Sequence, residues 1–333
     1  MLKFYTQQDC DIEIIRAKKV AMLGFGSQGK AHAQNLRDSG VKVLVGLYPE
    51  SKSWDIAKQL GFEVFEVKEV VQKCDVIMFM LPDELHADIF EQEVKPFLKP
   101  HHTLAFCHGF SVHFNQIQTP KDIGIIMIAP KGPGKSVRDE FIQGRGVPNL
   151  IAIQQENQEK NAKELALSYA AGIGGARSFI IETTFKNEAI TDLFGEQAVL
   201  CGGIKSLVIN AFETLVESGY PKELAYFECL HELKLVTDLI YQGGISNMHH
   251  SISNTAEYGM IVSGEKLINQ ESKKIMQQIL KDIENGSFAK DFVLEKQSRY
   301  TRLHCERNNI EEHPIEEVGQ KLRKLIFKNS SQS

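Results

Sequence analysis

The cysteines of this sequence do not pair. Six are scattered at positions 10, 74, 107, 201, 229 and 305 of 333 residues, with no recurring spacing. That excludes a disulfide-framed scaffold and a zinc ribbon, and it reads as reduced thiols in a cytosolic chain. Basic charge is not in excess either: 38 Lys and Arg against 43 Asp and Glu leave a net charge of −5. A nucleic-acid surface would want the opposite sign. No uninterrupted apolar run approaches the roughly 20 residues of a bilayer span. The N-terminus, MLKFYTQQDCDIEIIRAKK, has acids where a signal peptide has its apolar stretch. There is no internal repeat and no low-complexity tract. The expectation is a soluble, cytoplasmic protein with a small-molecule substrate and no nucleic-acid or membrane partner, long enough for two domains.

What is present in the first half is a series of short apolar runs separated by helical segments. KVAMLGF (19–25), VKVLVGL (41–47), FEVF (62–65), DVIMFML (75–81), TLAFCH (103–108), IGIIMIAP (123–130), PNLIAIQQ (148–155) and FIIETT (179–184) have strand length. Several are continuous and β-branched, as strands covered on both faces are. The alternation predicts an α/β, Rossmann-like, doubly wound and mostly parallel sheet over residues 1–183. From 184 to 327 the strand signal stops and long helices follow, near 186–217, 221–242, 253–262, 269–285, 288–297 and 315–327. This predicts an all-α second domain. Pro221 suits a first turn and Gly243-Gly244 a helix end, and the last residues, 328–333, read as a frayed tail.

The first strand runs into Gly24-Phe25-Gly26-Ser27-Gln28-Gly29 and then into a helix. In such a loop the first glycine makes the tight turn and the second lets backbone approach a pyrophosphate. The third lets the helix pack on the strand, and the helix N-terminus supplies partial positive charge. Dinucleotide binding is the reading; a purely structural glycine turn is its alternative. The loop after the second strand, GLYPESKSW, leaves the choice of dinucleotide open. Glu50 suits a ribose hydroxyl, whereas Ser51, Lys52 and Ser53 can donate to a 2′-phosphate. Ligands of open α/β sheets bind beyond the carboxyl ends of the strands. His108 and Lys131 follow two such ends, where a histidine can move a proton and a lysine can polarise an oxygen.

In the helical half, Asp192 and Glu196 stand four residues apart on a stripe with Ala189, Val199 and Gly203. Glu228 and Glu232 do so in AYFECLHELKL on a stripe with Leu224, Leu235 and Leu239. If the two helices lie side by side, four carboxylates converge, and unpaired buried anions are costly. Divalent cations resolve the conflict, since Mg²⁺ takes oxygen ligands. The alternative is a pair of wet faces neutralised by Lys or Arg. Glu188, one turn before Asp192, has no counterpart on the second helix and is read as a peripheral acid outside the metal set.

The chain resembles the ketol-acid reductoisomerases in their short, class I form. The resemblance rests on GFGSQGKAHAQNLRDSG, LPDELH, CHGF, APKGPG, GRGVPNLIAI, TDLFGEQAVLCGG, ECLHELKLVTDLIYQGGISNM and SISNTAEYG, which span nearly the whole sequence. It implies a Mg²⁺-promoted alkyl migration of 2-acetolactate, or of 2-aceto-2-hydroxybutyrate, and then reduction by NADPH or NADH. The products are the dihydroxy acids of valine, leucine and isoleucine synthesis. It implies two Mg²⁺ per site on Asp192, Glu196, Glu228 and Glu232, with Asp192 bridging, and catalysis at His108 and Lys131. A proton relay through Glu232 or site water goes with this, and Ser253 is implied to touch substrate. Cofactor contacts are expected from Gly24, Phe25, Gly26, Ser27, Gln28 and Gly29, from Tyr48, Glu50, Ser51 and Ser53, from Asp83, Glu84, Leu85 and His86, and from Gly134. Family members that use NADPH carry Arg at the Tyr48 position, so NADH use, alone or alongside NADPH, is expected here. Intertwined homodimers that share active sites are also implied. The rivals are a metal-independent β-hydroxyacid dehydrogenase and a regulator that senses NAD(P) without turnover.

Overall fold

The computed structural model describes residues 2–327. By internal contacts the chain divides into a unit of residues 1–191 and a unit of residues 192–333. The tail 328–333 lies outside the described residues.

The first unit is built on a nine-stranded sheet in the order β1-β9-β8-β7-β6-β5-β2-β3-β4. Its strands are β1 (Lys3–Tyr5), β2 (Lys19–Leu23), β3 (Lys42–Gly46), β4 (Glu63–Phe65), β5 (Val76–Phe79), β6 (Thr103–Phe106), β7 (Gly124–Pro130), β8 (Asn149–Gln155) and β9 (Ile180–Glu182). Neighbours from β4 through β7 pair in parallel. The chain first winds from β2 outward through β3 and β4, then returns to place β5 on the other side of β2. The strand order therefore reverses between β2 and β5, where an open sheet leaves its ligand crevice.

The continuous apolar runs follow from two-sided burial. Val20 and Met22 of β2, Val76 and Met78 of β5, and Ile126 and Ile128 of β7 belong to one core layer. Their alternating neighbours Ala21 and Leu23, Ile77 and Phe79, Ile125 and Met127 belong to the opposite one. Successive side chains of a strand point to opposite faces, so each strand feeds both layers.

The sheet departs from the expected mostly parallel one at its far side. β8 runs antiparallel to β7, and β1 antiparallel to β9. β1 had no sequence signal because three residues at a largely exposed edge show no alternation. Tyr5 ties it down by donating from its hydroxyl to Glu182 Oε2 at 2.5 Å.

The second unit is helical throughout its described residues, with a small core of Val208, Phe212, Ala225, Tyr226, Ile315 and Val318. The helix expected to end at Gly243-Gly244 does break there: Gly244 is non-helical (φ 80°, ψ 174°), and a second helical segment runs on to Ser251. A helix at Thr301–Glu311 was not foreseen, because TRLHCERNNIE has no apolar stripe.

The run 185–217 corrects the reading that no segment approaches a membrane span. It is helical, with a hydropathy of 1.5 over its best window and little burial within the chain. Glu196 and Lys205 interrupt its apolar residues, so a count of uninterrupted apolar residues missed it. Lys205 is ion-paired with Glu306, both exposed. Much apolar surface is left open elsewhere in this unit: Leu200, Leu224, Leu235, Ile245, Tyr258, Ile261, Leu267 and Ile275 are all more than half exposed.

Candidate active site

The glycine loop joins β2 to the helix Ser27–Asp38, and each glycine has a distinct geometric reason. Gly24 sits at φ +95°, and a Cβ there would lie 2.6 Å from the Met80 carbonyl oxygen. A Cβ on Gly29 would lie 2.5 Å from the Gly24 carbonyl oxygen, so helix and strand could not close. At Gly26 a Cβ would meet nothing within 4 Å. That open cradle, beside the free N–H groups of a twelve-residue helix, fits a pyrophosphate. Phe25 is buried and set edge-on to Phe62 at 5.5 Å, so its side chain belongs to the core. Gln28 Nε2 donates to the Gly132 carbonyl at 2.8 Å. Gly134 packs backbone to backbone on Ser27, where a Cβ would stand 2.4 Å from the carbonyl. The APKGPG loop is thereby clamped onto the glycine loop, and a packing role accounts for Gly134.

Tyr48 is 59% exposed, and Glu50 beside it is exposed too. The hydroxyl of Ser51 accepts from the Ser53 amide at 3.3 Å. After β5, Asp83, Glu84 and Leu85 form a short turn. Burial is the main force raising the Asp83 carboxyl above its usual range, and the charge of His108 opposes it. His86, expected as a cofactor contact, is 3% exposed, with Nε2 on the Leu81 carbonyl at 2.9 Å and Nδ1 on Ser111 Oγ at 2.8 Å.

The densest polar arrangement of this unit centres on the acid set aside as peripheral. Glu188 is 1% exposed and lies on the helix Phe185–Gly195. Its Oε2 accepts from His108 Nδ1 at 2.9 Å and from the Gly109 amide at 2.7 Å, and its Oε1 accepts from Lys131 Nζ at 2.8 Å. Burial alone would raise its pKa. The hydrogen bonds and charges of His108 and Lys131 outweigh that and hold it at about 2. Glu188 therefore stays ionised and gathers the residues that follow β6 and β7, the two placed at the crevice mouth by the strand-end rule. Nδ1 donating to a carboxylate fixes the orientation of the His108 ring, and a histidine so held can exchange a proton. Sequence reasoning missed Glu188, yet a signal existed: 188, 192 and 196 form a run of acids at four-residue spacing on one stripe.

Asp192 follows Glu188 by one turn on the helix Phe185–Gly195. Glu196 opens a widened turn in which the Cys201 amide bonds back five residues to the Glu196 carbonyl at 3.0 Å. Glu228 lies inside a second such turn, Phe227–His231, and Glu232 follows it. Both acid pairs are thus built around π turns, a feature that recurs at functional sites. The first demands its glycines. A Cβ on Gly202 would stand 2.3 Å from the Gln197 carbonyl oxygen, and one on Gly203 2.2 Å from that of Ala198.

In the single chain no three of Asp192, Glu196, Glu228 and Glu232 bring ligand atoms within 4.8 Å of one another among the described residues. Glu196, Glu228 and Glu232 are exposed, as are Leu224 and Leu235 on the same stripe. The face that packs inward carries Ala225, Tyr226, Cys229, Leu230 and Leu233 instead. Ser253 caps the helix Asn254–Leu267, its hydroxyl accepting from the Ala256 amide at 3.2 Å.

Comparison with known proteins decides the family. Residues 14–178 match the NADPH-binding domain of acetohydroxy acid isomeroreductase, and residues 185–327 match the C-terminal domain of ketol-acid reductoisomerase. The chain belongs to the ketol-acid reductoisomerase family. A ketol-acid reductoisomerase (NADP(+)) of Campylobacter concisus (strain 13826) is 56% identical over 325 residues, 98% of this chain and 95% of the relative. One from Sulfurimonas denitrificans (strain ATCC 33889 / DSM 1251) is 58% identical over 322 residues, 97% and 95% of the two chains. The solved structure of an NADH-preferring ketol-acid reductoisomerase from an uncultured archaeon aligns with a TM-score of 0.94 at 44% identity, covering 97% of this chain and 99% of that one. As a ketol-acid reductoisomerase, the chain is an NAD(P)-dependent oxidoreductase with isomerase activity, serving branched-chain amino-acid synthesis.

Proposed function

We propose that Glu188 is the organising anion of the reaction centre, and that the enzyme rearranges and reduces 2-acetolactate and 2-aceto-2-hydroxybutyrate there. The observation that carries this is one buried carboxylate accepting from His108, Gly109 and Lys131 at 2.7–2.9 Å. Alkyl migration needs a hydroxyl proton to leave and an alkoxide to be steadied. His108 Nε2 takes and returns protons, while Glu188 stabilises the charge that then appears on the ring. Lys131, held by Glu188 and a third exposed, brings a positive charge toward substrate oxygen.

Mg²⁺, when bound, polarises the adjacent oxygens of the substrate, and NAD(P)H supplies the hydride. The donor set fits the cation by its chemistry: two pairs of carboxylates, with Asp192 and Glu196 on one helix and Glu228 and Glu232 on another. The second pair is exposed in a single chain beside uncovered leucines. This supports a homodimer in which the helical units meet and the acid pairs of two subunits complete one site, where Asp192, Glu196, Glu228 and Glu232 would hold the cation and Ser253 would face the substrate. Glu232 then lies where a proton relay needs a carboxylate. The open apolar face of 185–217 is read as part of the same contact, in a soluble cytoplasmic enzyme.

The phosphate end of the crevice supports dual cofactor use. Ser51, Lys52 and Ser53 provide donors for a 2′-phosphate, and Tyr48 and Glu50 supply no guanidinium to grip it.

The test is to supply 2-acetolactate and Mg²⁺ with NADPH or NADH and follow nicotinamide absorbance. Turnover should require Mg²⁺. Asp192→Asn should lose both the migration and Mg²⁺ binding by calorimetry; isomerisation at the normal rate in that variant refutes the metal assignment.

A further inference from the structure

His86 stands apart from the Glu188 cluster and is not used by the proposed chemistry. It is almost fully buried, edge-on to Phe79 at 5.3 Å between ring centroids. A carbonyl can only accept, so the bond to Leu81 requires the proton on Nε2. Nδ1 is then an acceptor, and Ser111 donates its hydroxyl to it. Ser111 is itself fully buried and lies in the single helical turn Phe110–His113. That turn begins two residues after His108.

The two ends of this bridge belong to different walls of the site. Leu81 and the Asp83–Leu85 turn follow β5, on one flank of the point where the strand order reverses. Met80 of the same stretch bonds by its amide to the Leu23 carbonyl at 2.8 Å, and its own carbonyl is the surface against which Gly24 turns. Ser111 follows β6 and is joined by backbone to His108. Asp83 Oδ1 lies 3.8 Å from Nδ1, beyond hydrogen-bond distance.

We propose that His86 is a positioning residue that fixes the wall of the dinucleotide crevice at a set distance from His108. It sits behind the site and touches neither cofactor nor substrate. Its role is to keep the nicotinamide end of the cofactor in register with the protonic machinery at the end of β6. This rests on the reading of the crevice as the NAD(P)H site.

Three variants test it, each read for cofactor dissociation constant by nicotinamide fluorescence, for kcat and KM, and for Tm. His86→Leu keeps apolar bulk and removes both bonds. Ser111→Ala removes only the bridge to the His108 turn. His86→Gln can donate to Leu81 and accept from Ser111, so it should restore the bridge. Losing a buried hydrogen bond that orients a site costs about three- to tenfold. Ser111→Ala should therefore weaken cofactor binding and lower kcat by roughly that factor while KM for acetolactate stays within about twofold. His86→Leu should do more, and Gln should return both values to near the parent. If Leu and Ala variants lower Tm but bind and turn over cofactor as the parent does, His86 is only structural and the proposal is overturned. If His86→Leu does not fold, Ser111→Ala alone decides. A parent enzyme that binds neither nicotinamide cofactor would instead refute the crevice reading.

Discussion

The Gly109 amide donates to Glu188 Oε2 at 2.7 Å, across 79 residues of sequence. The bond exists because nothing stands on the Gly109 α-carbon. A methyl there would lie 2.4 Å from the Phe185 carbonyl oxygen and 3.1 Å from the bonded carboxylate. Gly109→Ala should therefore push the β6 loop off the helix that carries Glu188. We expect a stability loss of about 1–3 kcal/mol, seen as a lowered Tm, together with a loss of kcat. A variant with parental Tm and activity would show that the helix yields freely.

Glu188→Gln keeps the shape and removes the anion. His108 and Lys131 then lose their shared counter-charge, and kcat should fall by roughly 10²–10⁴. Cofactor affinity, set at the glycine loop, should hold. A loss confined to KM would mean that Glu188 serves binding and not catalysis.

The same residue sets a pH signature. Its folded pKa of about 2 lies below its unfolded value near 4.5. The stability it contributes is therefore fully present above pH 4.5 and is lost as pH falls through about 2. A shift of this size corresponds to ~3 kcal/mol. In acid denaturation the parent should lose stability through that window, and Glu188→Gln should show a shallower slope there. No limb of the activity profile above pH 4 should belong to Glu188.

Gly202→Ala and Gly203→Ala put a methyl against the backbone of the π turn that begins at Glu196. Calorimetry should show Mg²⁺ binding weakened about tenfold or more, as expected when carboxylate ligands lose their orientation. NADPH affinity, which belongs to the other unit, should be unchanged. Equal loss of both ligands would indicate general unfolding.

Tyr48→Arg adds the guanidinium that the phosphate end lacks. It should raise the NADPH-to-NADH ratio of kcat/KM by about tenfold, one charge-assisted contact. A parental preference above roughly 100-fold for NADPH, about 2.7 kcal/mol, would show that the loop already discriminates.

The sheet was legible because burial on both faces writes continuous apolar runs, and all eight foreseen strands are present. β1 and the helix Thr301–Glu311 were not, since neither carries a periodic apolar face. The site was legible where residue type and strand end coincide, as at Gly24, His108 and Lys131. Glu188 was set aside because an acid on a helix looks the same wet or buried until its partners, 80 and 57 residues away, are known. The acid pairs are visible in the sequence, and their burial is not: Glu196, Glu228 and Glu232 are exposed in the single chain. Stepping at 100° per residue finds a stripe, not its environment, and the stripe with Glu228 and Glu232 is open in a lone chain. The π turns left no trace beyond Gly202-Gly203, because they are defined by which amide reaches which carbonyl.

The uncovered leucines and isoleucines of the helical unit bear on how the enzyme matures. The first unit closes its core within one polypeptide, so its return from denaturant should follow a rate independent of dilution. On the proposed pairing of two copies, the second covers its greasy side only when another copy arrives. Recovery of activity should then lag behind recovery of the nucleotide fold, and the lag should lengthen as the solution is thinned.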